Sequence, residues 1–134
     1  MRGEILRAIS EATVTLGFEP SVRLDGPLDS VVPPEVQLDL IATLRETLSN
    51  VVRHALAGRV MVSVVVDRTA TRLALEVRDD GAGLPEEFGH RGGLANIARR
   101  ADRWGGRCVV DSPGGRGTRI DWQVPLRRGG GRER

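Results

Sequence analysis

Apolar residues recur every three or four positions in three stretches of the chain, and this spacing predicts amphipathic helices. The stretches are residues 4–16, 34–57 and 93–104. Because an α-helix turns by roughly 100° per residue, the apolar side chains of each stretch share one face that must be buried. On the second helix this face carries Ile41, Leu44, Leu48, Val51 and Ala55. On the third helix, the side chains expected to face solvent are Arg99, Arg100 and Arg103.

Five shorter runs of apolar and β-branched residues predict strands. They are residues 18–24, 60–66, 73–77, 107–111 and 119–124. The run 60–66 is apolar on both faces apart from Ser63, so we expect it at the centre of a sheet. Residues 127–134 contain no apolar side chain, which predicts a disordered tail after a single domain over residues 1–126.

Length and composition narrow the class of protein. A chain of 134 residues with a net charge of +2 has the size of one domain that can bury its own core. All 20 strongly basic residues are arginine, and the absence of lysine excludes a P-loop, which needs Gly-Lys-Ser/Thr.

Cys108 lies in an apolar run, so we expect a small buried side chain rather than a nucleophile. No apolar run approaches the roughly 18 residues of a membrane helix, which favours a soluble, cytoplasmic domain without membrane contact.

A carboxylate followed by glycines comes directly after the third predicted strand, in the segment 79–84. Gly81 and Gly83 lack a Cβ, so their backbone can let a flat ring or a phosphate approach closely. The carboxylate of Asp79 accepts hydrogen bonds and suits a donor such as the exocyclic amine of adenine. Gly92 and Gly93 open the third helix, whose free N–H groups favour a phosphate. Asp-Gly is also typical of a solvent-exposed turn, so these residues alone leave a nucleotide pocket and a surface turn open.

A second group of polar residues lies on the predicted second helix. Glu46, Asn50 and Arg53 cluster opposite its apolar face, with His54 at the edge of the cluster. A carboxylate, an amide and a cation in one row could order a water, a divalent ion and a phosphate respectively. An ordinary solvated helix face would be polar here too, so helical spacing leaves both interpretations open.

Taken together, four segments resemble, in family order, the histidine kinase ATP-binding domain. Residues 46–55 resemble its N box, 79–83 its G1 box, 91–94 its G2 box and 115–118 its late Gly-Thr element. The resemblance covers most of the chain, from about residue 4 to residue 126. It implies an α+β Bergerat fold, a two-layer α/β sandwich in which a mixed β-sheet packs against about three helices.

The resemblance also implies which residues form the site. Asp79 would bond the adenine amine, and Asn50 would ligate Mg²⁺. Glu46 would be the catalytic base or water-orienting group. The other positions that the resemblance assigns to ATP binding are Arg53, His54, Gly81, Gly83, Leu84, Gly92, Gly93, Leu94 and Thr118.

The function implied by the family is that of the ATP-binding catalytic domain of a two-component sensor histidine kinase. Such a domain binds ATP with Mg²⁺ and donates the γ-phosphate to a histidine on a separate dimerisation domain. That domain then passes the phosphate to a response regulator. No nucleic-acid partner is expected. Residues 50–55 and 93–97 look like the branch related to nitrate and membrane-fluidity sensor kinases. The arginine-only, alanine- and valine-rich composition is typical of a GC-rich actinobacterial source. Within that branch, the chain also resembles a mycobacterial haem-based dormancy sensor kinase.

Two other functions share this fold: an anti-sigma-factor serine kinase and a non-catalytic ATP-sensing module. Anti-sigma-factor kinases are usually complete small proteins, whereas the first helix here starts almost at the beginning of the chain, which suggests a domain cut from a longer protein. The chain also departs from the family pattern. No Phe-rich box separates G1 from G2, the lid over residues 84–91 is short, and Arg91 stands where a first glycine is expected.

Overall fold

A computed structural model describes residues 1–55, 57–81, 93–112 and 117–126. Its helices in these residues are α1 (Arg2–Leu16), α2 (Leu28–Val31), α3 (Pro34–Asn50) and α4 (Gly93–Arg103), and a π-helical turn (Val51–Ala55) follows α3 directly. The strands are β1 (Ser21–Asp25), β2 (Val60–Val66), β3 (Arg72–Asp79), β4 (Arg107–Asp111) and β5 (Thr118–Pro125).

The strands form one mixed sheet in the order β1-β2-β3-β5-β4. β1 runs parallel to β2, and the other three pairings are antiparallel. Burial alternates strictly along β2 and β5 and through most of β3, because successive side chains of a strand point to opposite faces. The buried face packs against the helices, which gives the predicted two-layer α+β sandwich with three longer helices and one short one.

The core lies between this sheet face and the helices. The indole N–H of Trp122 in β5 donates to the carbonyl of Ile97 at 3.0 Å, which fixes α4 on the sheet. α3 packs against β3 and against both α1 and α4. The largest fully buried side chains are Trp122, Ile5, Leu28, Leu40, Leu44, Leu73, Leu75 and Ile97.

Two predicted elements differ from the structure by three or more residues at one end, and the other differences are of one or two residues. The first strand begins at Ser21 instead of residue 18, because Pro20 has no N–H to donate to a neighbouring strand. The second α-helix ends at Asn50 instead of residue 57, and a π-helical turn continues it. Such a turn inserts one extra residue per turn, and it is frequent at functional sites. β2 and β4 have the predicted bounds, with β2 inside the sheet as expected.

No helix in the described ranges has the length and apolar character needed to cross a bilayer. The predicted tail, residues 127–134, lies outside the described residues and stays a prediction.

Candidate functional site

The carboxylate of Asp79 stands at the end of β3, at the edge of the buried layer. Asp79 is the register partner of Thr118 in β5, and directly opposite residues of antiparallel strands have Cβ atoms roughly 5 Å apart. The Oδ1 atom of Asp79 accepts the backbone N–H of Gly81 at 2.8 Å. Partial burial raises the pKa of Asp79; the Gly81 N–H opposes this rise, and the neighbouring charge of Asp80 adds to it.

The backbone around Asp79 is held by a close contact between two loops. Gly117 donates its N–H to the carbonyl of Gly81 at 2.8 Å. Gly117 has a φ of +68°, and a Cβ at this position would lie 2.3 Å from the carbonyl oxygen of Asp79. Only glycine combines this positive φ with such a close approach. An open cleft of about 1050 Å³, whose walls include Asp79 and Thr118, makes this end of the sheet accessible to solvent.

The next residue, Asp80, has a structural contact that the sequence did not predict. Its Oδ1 atom accepts the backbone N–H groups of Gly58 and Arg59, at 2.8 and 2.9 Å. These two hydrogen bonds lower the pKa of Asp80, and the bond from Arg59 contributes more than the bond from Gly58. Asp80 therefore ties the end of β3 to the loop that precedes β2. Its partners are more than 20 residues away, so no local sequence signal identifies them.

The second half of the site lies on α3. Asn50 follows Glu46 by one helical turn, so both side chains point to the same side of the helix. Asn50 is only 6% exposed, however, so of the two interpretations left open by helical spacing, an ordinary solvated helix face does not apply to it. α3 packs against both β3 and α4, and its buried arc is therefore wide enough to include Thr43, Thr47 and Asn50.

Glu46 has a partner on the neighbouring helix. Its Oε1 atom accepts a hydrogen bond from Nη1 of Arg100 in α4, at 2.9 Å. Arg100 was expected to face solvent with Arg99 and Arg103, and this expectation is wrong for Arg100. The helices α3 and α4 pack against each other, so an arginine at the edge of the contact reaches a carboxylate across it. Glu46 is accordingly an ion-paired residue, not a free one.

Some predicted site residues stand apart from these two groups or fall outside the description. Arg53 is exposed and donates from Nη2 to the hydroxyl of Ser49 at 3.2 Å. Gly93 is the first residue of α4. Outside the described residues lie Gly83, Leu84, Gly92 and the side chains of His54 and Leu94. Within the described part of the chain, no hydrogen bond links Asp79 directly to Asn50 or Glu46.

Two buried polar atoms in these groups bear on the kind of ligand. The amide nitrogen of Asn50 and the hydroxyl of Thr118 have no hydrogen-bond partner among the described residues. An unsatisfied buried polar group costs about 1–3 kcal/mol, and of these two residues Thr118 lines the cleft, where its hydroxyl favours a polar ligand.

Comparison with known protein families identifies the family to which the chain belongs. The model of the family described as "Histidine kinase-, DNA gyrase B-, and HSP90-like ATPase" matches residues 35–128, from the start of α3 to beyond β5. The chain belongs to this family. Both groups of site residues fall within the match, and the resemblance read from the N, G1 and G2 boxes is thereby confirmed.

Sequence relatives of this ATPase-family domain include sensor histidine kinases. The chain is 36% identical over 120 residues to the sensor histidine kinase NarS of Mycobacterium tuberculosis, covering 84% of this chain and 26% of NarS. It is 33% identical over 100 residues to the sensor histidine kinase LiaS of Bacillus subtilis, covering 73% and 27%. It is 29% identical over 126 residues to the nitrate/nitrite sensor protein NarQ of Escherichia coli, covering 89% and 22%.

These relatives confirm the predicted nitrate-sensor branch, whereas the narrower resemblance to a haem-based dormancy sensor stays a prediction. The chain spans about a quarter of the length of the relatives. Among solved structures, the ATP-binding domain of PrrB from Mycobacterium tuberculosis aligns over 93% of both chains with a TM-score of 0.67 and 23% identity. The blue-light activated histidine kinase of Erythrobacter litoralis EL346 aligns over 90% of this chain and 40% of its own, with a TM-score of 0.70 and 24% identity. These structural likenesses confirm the fold.

The residues of the site fit ATP and Mg²⁺. Asp79 offers an acceptor for an amine, and the amide of Asn50 offers an oxygen, the ligand atom that Mg²⁺ prefers. Across the described ranges, no three carboxylate, imidazole or thiol groups come together as a metal site. Where nucleotides react, Mg²⁺ usually keeps several waters and takes one or two protein ligands beside the substrate phosphates.

Proposed function

We propose that this chain binds ATP with Mg²⁺ and presents the γ-phosphate to a histidine on a separate phosphoacceptor domain of its parent protein. The observation that carries the proposal is the half-buried carboxylate of Asp79. One of its oxygens is held by Gly81, and the buried Thr118 hydroxyl without a partner in the described residues stands across the strand pair. That arrangement suits a ligand with both donor and acceptor atoms on one edge, such as adenine.

Recognition of the base rests on charge and hydrogen-bond direction. An ionised carboxylate only accepts hydrogen bonds, so Asp79 favours adenine, whose exocyclic amine donates. Guanine presents a carbonyl at the matching ring position, and that oxygen would face the carboxylate without a proton between them. Gly81 and Gly83 leave room for the ring because they lack a Cβ.

The phosphate end of the site is assigned to α3 and to the start of α4. Asn50 would hold Mg²⁺, which neutralises phosphate charge when bound. Arg53 and His54 would lie near the phosphates, and Gly92 and Gly93 would open a helix whose free N–H groups favour a phosphate. Leu84 and Leu94 would complete the ATP-binding residues. Glu46 would act as the base or orient a water. Positioning and charge neutralisation would supply most of the catalysis, as is typical of phosphoryl transfer.

The partners follow from this chemistry. The acceptor would be the dimerisation and phosphoacceptor domain of the parent protein, and the phosphate would pass from there to a response regulator. ATP and response regulators are found in the cytoplasm, so the domain would work there. No nucleic acid or membrane contact is part of the proposal.

The proposal is tested first by nucleotide binding. Asp79→Ala should weaken ATP binding by roughly ten- to a hundredfold, because a hydrogen bond to a charged group is worth about 1.5–3 kcal/mol. Calorimetric titration of this chain with ATP and GTP, with Mg²⁺ present, measures the effect. Asp25→Ala is the matched control, since Asp25 is an exposed aspartate at the end of β1 that pairs with Arg23 at 3.2 Å. Equal affinity for ATP and GTP, or equal effects of the two substitutions, would remove Asp79 from this role.

A further inference from the structure

Two polar links join the packed surfaces of α3 and α4. In the first, Nη1 of Arg100 donates to Oε1 of Glu46 at 2.9 Å. In the second, Oδ2 of Asp39 accepts from Nε1 of Trp104 at 2.7 Å and from Nη1 of Arg103 at 3.1 Å. The later residue of α3 thus meets the earlier residue of α4, so the two helices run roughly antiparallel along this contact.

The two arginine–carboxylate pairs differ in their surroundings. The side chains of Arg100 and Glu46 are 21% and 24% exposed, whereas that of Arg103 is 59% exposed. An exposed pair is screened by water and holds its side chains weakly, while a sheltered pair of charges is held more firmly. The sheltered guanidinium of Arg100 therefore holds Glu46, whereas Asp39, itself 13% exposed, is held by the indole of Trp104 as well as by the exposed Arg103.

The link between Arg100 and Glu46 lies close to the proposed Mg²⁺ ligand along α3. Glu46 precedes Asn50 by one turn on the same side of α3, and α4 begins at Gly93, directly after the sequence segment that carries the other proposed nucleotide residues. Arg100 comes two turns into α4. It therefore connects the carboxylate proposed for catalysis to the helix that follows this segment.

We propose that Arg100 is the positioning residue for Glu46. Its guanidinium is permanently charged and planar, so it holds Oε1 and leaves Oε2 to a water or to the phosphoacceptor. A glutamate side chain otherwise samples several rotamers, and a misplaced catalytic group can cost up to about a hundredfold in rate. This inference rests on the proposed function, because Glu46 has a catalytic part only if the chain transfers phosphate.

The experiment uses this chain with γ-labelled ATP, Mg²⁺ and the phosphoacceptor domain of its parent protein supplied in trans. We expect Arg100→Gln to lower the maximal rate of label transfer by about ten- to a hundredfold, with the Kd for ATP unchanged within about twofold. Arg100→Lys keeps the charge and should recover part of the rate. Arg103→Gln is the matched control, because it removes an arginine–carboxylate pair between the same two helices without touching Glu46, and it should transfer at the normal rate.

A double substitution separates positioning from a general loss of packing. Glu46→Gln alone should lower transfer by about 10²–10⁴-fold, and adding Arg100→Gln should lower it no further, because Arg100 acts through Glu46. A further loss in the double variant, normal transfer by Arg100→Gln, or equal losses in Arg100→Gln and Arg103→Gln would each overturn the assignment. If the unchanged chain binds ATP but transfers nothing, the proposed function itself fails and this role fails with it.

Discussion

Asp79 and Asp80 are neighbours in the chain, yet the protein shifts the pKa values of their carboxyls in opposite directions. Burial raises the pKa of Asp79, whereas the N–H groups of Arg59 and Gly58 lower that of Asp80. Because adjacent residues at a strand end point to opposite sides, one carboxylate can serve a ligand while the other holds a loop. In the proposed function, Asp79 therefore binds the nucleotide, while Asp80 holds the loop before β2 in place.

The raised pKa of Asp79 predicts a cost in stability. The folded domain holds the Asp79 proton more tightly than the unfolded chain does, so the stabilising contribution is present below the ordinary value of 3.8 and is lost as pH rises through the folded pKa. Asp79→Asn keeps an acceptor for the Gly81 N–H and removes the charge. We expect this variant to unfold at a higher temperature than the unchanged domain at pH 7, and to lose that advantage near pH 3, while binding ATP more weakly. A lower midpoint at pH 7 would contradict this account.

For Asp80, we expect the opposite effect of the charge on the stability of the folded domain. Its folded pKa lies below the ordinary value of 3.8, so its contribution is present above that value and is lost as pH falls through the folded pKa. Asp80→Asn should therefore lower the unfolding midpoint at pH 7, with a difference that shrinks on acidification. Thermal unfolding followed by circular dichroism at several pH values measures both variants side by side. Shifts of the same sign in the two variants would show that the division between the carboxylates is wrong.

Asn50 is predicted to couple nucleotide binding to magnesium. If its amide oxygen is a ligand of Mg²⁺, Asn50→Ala should remove most of the dependence of ATP affinity on Mg²⁺, because alanine offers no oxygen. Calorimetric titration with ATP, with and without Mg²⁺, measures this dependence. Ser49→Ala, one residue earlier on α3, is the control and should keep it. An unchanged response to Mg²⁺ in the Asn50 variant would exclude Asn50 as the ligand.

Gly117 is predicted to be essential to the shape of the adenine end. Gly117→Ala places a Cβ 2.3 Å from the carbonyl oxygen of Asp79 at a φ of +68°, so the backbone around Asp79 must move. Gly105→Ala is the control. It introduces the same kind of backbone strain, because Gly105 has a φ of +76°, but its Cβ would meet nothing closer than Pro125 at 3.9 Å. The strain alone costs about 1–2 kcal/mol. Gly117→Ala should cost clearly more in urea unfolding and should also weaken ATP binding, and equal costs in the two variants would contradict the importance of this contact.

Periodicity and turn chemistry were enough to predict most of the fold. The bounds of β2 and β4 follow from their apolar runs, and the joint order of the N, G1, G2 and Gly-Thr segments led to the family. The first strand starts later than its apolar run predicts, because Pro20 has no N–H for the sheet. The spacing of apolar residues does not predict the π-helical turn after Asn50, because one extra residue in a turn leaves that spacing nearly unchanged.

The site was harder to predict because its contacts join distant parts of the chain. The burial of Asn50 depends on α4 and β3 packing on the same helix, which a single helical wheel cannot contain. The partners of Asp80 and Glu46 lie 21 and 54 residues away along the chain. Local patterns therefore identified the types of residue at the site, and the tertiary structure decided their neighbours.

The central claim is that this chain supplies the nucleotide site and a separate domain supplies the acceptor histidine. The most direct measurement mixes the chain with Mg²⁺ and γ-labelled ATP, with and without the phosphoacceptor domain, and follows acid-labile label on each protein. We expect label on the histidine of the added domain and none on the chain itself, because an acceptor must be held about 3–3.5 Å from the phosphorus, in line with the leaving oxygen. The two histidines of this chain do not suit that task, since His54 is at the edge of the helix face proposed to hold ATP and His90 is in the short lid between Gly89 and Gly92. Stoichiometric label on the chain that is abolished by changing His54 or His90, acid-stable label on a serine, or no transfer to any acceptor would contradict the claim.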